Sequence, residues 1–177
     1  PPRMKTTVKN RSSKLGKSEV VCVFGFQSGA LDLPAAIALP AAARKDFKAE
    51  FRNRRLADAG PRSPAQRVLL VGLGKRAECT PERLRRAAAL AVKELSSLAC
   101  RKADLWVSAE VEKACGGAEA AGQAAMEGAV LGAYSYKPLK SKPKSDPLAS
   151  LVLWGGGKGF SSGAARGRVL ADANAFA

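Results

Sequence analysis

The sequence predicts an α/β fold, a mainly parallel or mixed sheet covered by helices on both faces. Three observations predict it. Short, apolar, β-branched runs at Glu19–Phe26, Arg67–Gly74 and Ser150–Trp154 have the composition of strands buried on both sides. Segments of helical character separate them. Strand and helix signals alternate along the chain, an order that calls for parallel strands joined by crossover helices.

Taken in order, the chain opens on a basic arm carrying Arg3, Lys5, Lys9, Arg11, Lys14 and Lys17, with Met4–Val8 as a possible edge strand because Thr6, Thr7 and Val8 are β-branched. After the Glu19–Phe26 strand, Leu33–Ala43 is Ala-rich and reads as a helix that Pro34 and Pro40 shorten or interrupt. Asp46–Leu56 continues in a charged, helix-compatible register, and Gly60, Pro61 and Pro64 mark a loop. Arg67–Gly74 is the clearest strand and ends in two glycines. The best helix follows, with Thr80 as N-cap, Pro81 at its first position and Glu82 at its positive end. Leu84, Ala88, Ala91, Leu95 and Leu98 form its apolar stripe, leaving Arg83, Arg86 and Lys93 to face water. Asp104–Ser108 reads as a strand around Trp106, and an Ala/Gly-rich helix runs from Gly117 to about Tyr134. Its three glycines, Gly122, Gly128 and Gly132, each cost roughly 1 kcal/mol in an exposed helix, so they signal close backbone packing. Lys137–Pro147 is a Lys/Ser/Pro-rich loop, Ser150–Trp154 a strand, and a last helix starts near Gly163.

The 177 residues carry 30 Lys and Arg against 15 Asp and Glu, a net charge of +15. Residues 1–62 contribute +8, residues 63–134 only +2 and residues 135–177 +5. Basic flanks of this kind attract nucleic acid, acidic proteins or anionic surfaces, or simply solvate the domain. Lys5, Lys9, Arg11, Lys14 and Lys17, with Lys137, Lys140, Lys142 and Lys144, are the candidate phosphate contacts, and Tyr134 and Tyr136 the nearby aromatics. No apolar run is long enough to span a bilayer. The polar start lacks the apolar core of a secretory signal, and the absence of Met at position 1 points to a processed or incomplete end. Cys22, Cys79, Cys100 and Cys115 show no C-x-x-C spacing, which fits neither a disulfide scaffold nor a zinc ribbon and suits a reducing compartment.

Histidine is absent, which excludes His triads and His-ligated zinc within these residues. Asp104, Glu110 and Glu112 flank one strand end and read as surface charge. Gly72-Leu-Gly74-Lys75 lacks the third glycine of a dinucleotide loop, Ala77 standing in its place. Gly157-Lys158 is followed by Gly159 where a Walker motif needs Ser or Thr. Both glycine patterns are read as turns.

Three segments carry a family resemblance. Val68-Leu-Leu-Val-Gly-Leu-Gly-Lys75 resembles a strand and turn in the N-terminal domain of leucyl aminopeptidases. Ala121–Tyr136 with Lys140-Ser-Lys142 is similar to that family's small-residue helix, Leu-Gly-x-Tyr signature and Lys-containing loop. Gly167–Ala177 resembles the start of the helix joining the family's two domains. Lys45–Pro64 departs from the pattern, since the Gly-rich strand expected ahead of Val68 is not evident.

The resemblance, which spans about residues 18–177, implies a macro-domain-like α/β fold at the outer corners of a hexamer, in the cytoplasm or alternatively a mitochondrion or other organelle. It places the metal ligands (Lys, Asp and Glu) and the catalytic Arg beyond residue 177, so no catalytic or metal residue and no cofactor is expected in this segment. Zinc or manganese is implied for the catalytic domain. The expected division is a basic arm over 1–17, an accessory α/β domain over 18–160 and the start of a linker helix over 161–177. Its expected function is a non-catalytic N-terminal domain serving hexamer assembly or active-site access, its partners the chain's own catalytic domain and further copies. The alternative is a basic nucleic-acid-binding module or pseudoenzyme fragment. Binding of ADP-ribose would rest on fold analogy alone.

Overall fold

The computed structural model describes residues 3–134 and 148–175. Six strands form one sheet in the order β1-β6-β5-β2-β4-β3, with β1 Lys5–Asn10, β2 Ser18–Gly25, β3 Arg54–Asp58, β4 Ala65–Gly72, β5 Lys102–Trp106 and β6 Ser150–Gly155. All neighbours pair in parallel except β3, which runs antiparallel to β4 at one edge. The helices are α1 Ala41–Asp46, α2 Pro81–Ser97, α3 Ala109–Ala114, α4 Ala118–Ala133 and α5 Phe160–Ala175. The mixed α/β sheet expected from the alternating signals is therefore present.

Strand alternation sends side chains into two separate cores. Val20, Cys22 and Phe24 of β2, with Leu69 and Val71 of β4, face the layer built from α2, α4 and α5. Val21 and Val23 point the other way, with Val68 and Leu70, onto Ile37, Leu39 and Ala43. The first face carries three long helices. The second is closed by short α1 and the extended chain before it.

Helix α2 begins as its cap predicts, the Thr80 hydroxyl accepting a hydrogen bond from the Arg83 amide at 3.2 Å. Leu84, Ala88, Ala91 and Leu95 are fully buried. Helix α4 lies between α2 and α5, and its glycines divide the work. A Cβ on Gly122 would strike the Phe160 carbonyl of α5, while one on Gly128 or Gly132 would strike the Arg85 or Ala89 carbonyl of α2. From α5, Gly163 and Gly167 press on the Glu119 and Gln123 carbonyls of α4 in return. The glycines are where three helix backbones meet.

Four sequence expectations shift. Leu33–Ala43 is helical only from Ala41, because Leu33 and Leu39 both precede proline and are pushed out of the helical region. Asp46–Leu56 is not a continued helix: Phe47 turns extended (φ −81°, ψ 104°), and the chain crosses the end of β4 before entering β3. The crossing is fixed by amides of Arg52, Gly72 and Gly74 donating to carbonyls of Gly72, Asn53 and Ala49. Strand β3 thus supplies the strand that seemed missing before Val68. Strand β5 starts two residues early, and Ser108 caps the unforeseen helix α3, accepting from the Val111 amide at 3.2 Å. Met4–Val8 shifts to Lys5–Asn10 and does form the edge opposite β3.

Gly128→Leu is expected to destabilise the domain by about 2 kcal/mol or more, since overpacking against a backbone carbonyl forces α4 off α2. An unchanged chemical denaturation midpoint would contradict that packing.

Candidate functional site

Five parallel strands end on one side of the sheet, and β2 is where the strand order switches direction, with β4 to one side and β5 to the other. Doubly wound folds bind ligands in the crevice at such a point. On the β5-β6-β1 side of that point the protein's own groups occupy the carboxyl edge. Arg11, just past β1, donates through Nη1 to the Val107 carbonyl at 2.6 Å and to Glu112 Oε1 at 2.5 Å. The amides of Gly156 and Gly157, after β6, donate to the same Glu112 oxygen at 2.8 and 3.4 Å. The Glu112 side chain is only 7% exposed and that of Arg11 18%. A Cβ on Gly156 would meet the Arg11 guanidinium, and one on Gly157 would meet Ala118 and Glu112. The glycines leave room for an internal carboxylate where a phosphate loop would hold its ligand.

The Gly72–Gly74 turn is likewise engaged. Its three amides donate to the carbonyls of Asn53, Gly25 and Ala49 at 2.8–2.9 Å. Both glycine motifs are turns, and each has a structural partner.

Of the three acidic residues read as surface charge, two are not. Asp104 is buried and accepts from Trp154 Nε1 at 2.6 Å. Glu112 is buried with Arg11. Glu110 is exposed and pairs with Arg76. The reading missed Glu112 because no local signal marks a contact made 101 residues away. A pattern was available, however: Ser108-Ala-Glu-Val-Glu112 is a cap followed by acids in a first helical turn.

Among the basic candidates, Lys5 and Lys9 share the exposed side of β1, where the Lys9 ammonium lies 5.6 Å from the centre of the Trp154 ring. Lys14 and Lys17 are exposed around buried Leu15. Arg11 is the exception, taken up by Glu112. Lys137, Lys140, Lys142, Lys144 and Tyr136 lie outside the described residues, and Tyr134 is exposed at the end of α4. A depression of about 640 Å³ is lined by Ser28 after β2, by Lys75, Arg76 and Ala77 after β4 and by Lys113 and Ala114 of α3 after β5, at the carboxyl edge beside the switch point. Among the described residues no three His, Cys, Asp or Glu side chains come together as a metal site, and no helix is long and apolar enough to cross a membrane.

Comparison with known proteins adds a family to this geometry. The N-terminal domain of the cytosol aminopeptidase family matches residues 15–143. A probable cytosol aminopeptidase of Gloeobacter violaceus is 29% identical over 158 residues, covering 81% of this chain and 30% of that protein. Another, from Geotalea uraniireducens, is 34% identical over 113 residues, covering 63% of this chain and 22% of that protein. The chain thus spans less than a third of the length of these relatives. Among solved structures, the bottromycin maturation enzyme BotP superposes with a TM-score of 0.67 at 26% identity, covering 89% of this chain and 31% of that one. BotP is also known in complex with manganese. A tomato leucine aminopeptidase mutant shares the fold, with a TM-score of 0.66 at 16% identity over 97% of this chain and 36% of its own.

Glu112→Ala should cost about 2–3 kcal/mol by leaving the part-buried Arg11 guanidinium without its carboxylate partner. Adding Arg11→Met to that variant should recover part of the loss. A loss in the double variant equal to the sum of the losses of the two single variants, read from denaturation curves, would mean that the pair is not coupled.

Proposed function

Because the chain belongs to the cytosol aminopeptidase family, whose N-terminal domain it carries, we propose that it is the non-catalytic accessory part of a metal-dependent leucyl aminopeptidase, serving hexamer assembly or access to the active site. The observation that carries this reading is the family match over residues 15–143. Chemistry then belongs to a following catalytic domain. The zinc or manganese of such a domain does not fit the described residues, since they offer no converging ligand set. It would be held by residues of the catalytic domain.

The division proposed is an arm over 1–17, an accessory domain over 18–160 and a linker over 161–177. The arm contributes edge strand β1, and Arg168 of α5 ties that strand down by donating to the Met4 carbonyl at 3.3 Å and Thr6 Oγ1 at 3.0 Å. Val169 and Leu170 remain exposed on α5, at 68% and 39%. Apolar side chains in that position favour a helix that a neighbouring domain covers. The cytoplasm suits such a protein, with an organelle such as the mitochondrion as the alternative.

Assayed alone with leucyl amides and manganese or zinc, the 177-residue chain should show no hydrolysis. Metal-dependent turnover that co-purifies with it would overturn the accessory reading.

Exposure of Lys5, Lys9, Lys14 and Lys17 favours a second role, binding a nucleic-acid backbone. Contacts to phosphate alone make affinity insensitive to base sequence and steeply dependent on salt. Reversing these four lysines to Glu should weaken duplex and single-strand binding about equally and flatten the salt slope. No binding by the native chain near 50 mM salt, a low-salt condition chosen to favour phosphate contacts, would retire this role.

A further inference from the structure

Cys79 and Cys115 are 36 positions apart in sequence, yet their sulfurs lie 3.7 Å from each other. Cys79 follows the 3-10 turn Arg76–Glu78 and immediately precedes Thr80, the N-cap of α2. Cys115 is the C-cap of α3, and its Sγ also approaches the Thr80 carbonyl at 3.8 Å. The two thiols therefore face each other between the start of one helix and the end of another. Both are buried, Cys79 at 9% exposure and Cys115 at 3%.

Their surroundings differ from those of the other two cysteines. Cys22 is sealed inside β2, where burial pushes its thiol up. Cys100 donates to the Lys102 carbonyl at 3.2 Å, and burial pushes its pKa up to about 11. At Cys79, the hydrogen bond from Cys115 and the nearby Arg83 guanidinium outweigh burial and hold the thiol below its ordinary value. Cys115 is pushed up by the same bond and by burial. The pair thus favours the thiolate at Cys79 over the thiolate at Cys115.

A depression lies beside the pair, and glycines follow it in the chain. Arg76 and Ala77, just ahead of Cys79, and Lys113 and Ala114, just ahead of Cys115, line the 640 Å³ depression. A small oxidant entering there meets the segments that carry both sulfurs. Gly116 and Gly117 follow Cys115 at φ +85° and +128°, with open space around each. The segment after Cys115 can therefore adjust as the sulfurs close by roughly 1.7 Å to the covalent separation of about 2.05 Å.

We propose that Cys79 and Cys115 form a reversible disulfide when the protein meets hydrogen peroxide, clamping the start of α2 to the end of α3. The Cys79 thiolate attacks one peroxide oxygen, the O–O bond breaks, and the departing hydroxide takes up a proton as water. Cys79 is left as a sulfenic acid. The Cys115 sulfur then displaces hydroxide from the Cys79 sulfur, and its own proton leaves with that hydroxide as a second water. Two thiols and one peroxide become one disulfide and two waters, the thiols losing the two electrons that the peroxide gains. A dithiol such as dithiothreitol reverses the reaction by exchange.

The test is to treat the native chain with hydrogen peroxide, block remaining thiols with N-ethylmaleimide, digest with trypsin and map the products by mass spectrometry. The expected product links the peptide beginning at Ala77 to the peptide beginning at Ala114. Cys22 and Cys100 should be recovered unlinked, and dithiothreitol should restore all four thiols. Oxidation should also raise Tm by several degrees, as a cross-link closing a loop of this length does, and Cys79→Ser or Cys115→Ser should abolish the rise. If either variant fails to fold, the peptide map of the native chain decides alone. Sulfinic acid at Cys79 without a cross-link, linkage to Cys22 or Cys100, or four unreacted thiols would each overturn the proposal.

Discussion

The close approach of α4 to its two neighbours is the contact on which the helical layer depends. Glycine and alanine let the α4 backbone lie against carbonyls of α2 on one side and α5 on the other. A helix gripped in this way is apolar over most of its surface, its polar groups confined to the stripe Glu119, Gln123 and Glu127. Glu127 is the instructive exception. Its side chain is only 9% exposed and meets Arg85 of α2 at 3.1 Å, so the one carboxylate on the buried stretch of α4 is neutralised by the helix it packs against. Small residues set the distance between the helices, and this ion pair closes one end of the seam. Both are needed, because larger side chains would push the backbones apart while an uncompensated Glu127 would be costly to bury.

The same economy of space governs the carboxyl edge of the sheet. Parallel strands followed by glycine turns leave backbone amides pointing outward, and such amides attract an anion. In this domain the anion is Glu112, brought there by the short helix α3 and held by Arg11 from the edge strand. The charges of β1, α3 and the β6 turn thereby cancel inside the protein. That arrangement ties an edge strand, a middle connection and the last strand turn together across 101 residues of sequence. The carboxyl edge is thus closed on its β6 and β1 side by an internal ion pair, while the depression beside β2 and β4 stays open.

Much of this was legible before any coordinates, and the reasons differ from element to element. Strands β2, β4 and β6 announce themselves because burial on both faces demands continuous apolar runs, and α2 does so through its cap and stripe. Strand β3 hid because it is an edge strand with almost every side chain exposed, so Arg54-Arg-Leu-Ala-Asp58 has no alternation to read. Its conformation is imposed by the β4 ladder and by the crossing at Gly72, both tertiary. Helix α3 hid because six residues are too few for a periodic pattern. The Arg11–Glu112 and Cys79–Cys115 contacts lay beyond reach for a different reason. Each joins two segments that only the finished sheet brings together, and nothing local in either partner specifies the other.

The distribution of charge follows from these packing demands. In the helical layer the acidic residues find arginine partners: Glu82 with Arg85 and Arg86, Glu119 with Arg166, Glu127 with Arg85, and Glu94 with Arg54 of β3. A planar guanidinium bridges neighbouring helices and strands better than an ammonium can, because it donates in two directions from a fixed plane. The balanced middle of the chain is thus the part that builds the helix contacts. Lys5 and Lys9 lie on edge strand β1, opposite β3, and Lys14 and Lys17 on the connection into β2; all four are exposed, and Lys9 contacts Trp154. Surface charges of this kind are worth little to stability, and their mutual repulsion opposes it slightly. These four lysines are therefore not a requirement of the fold.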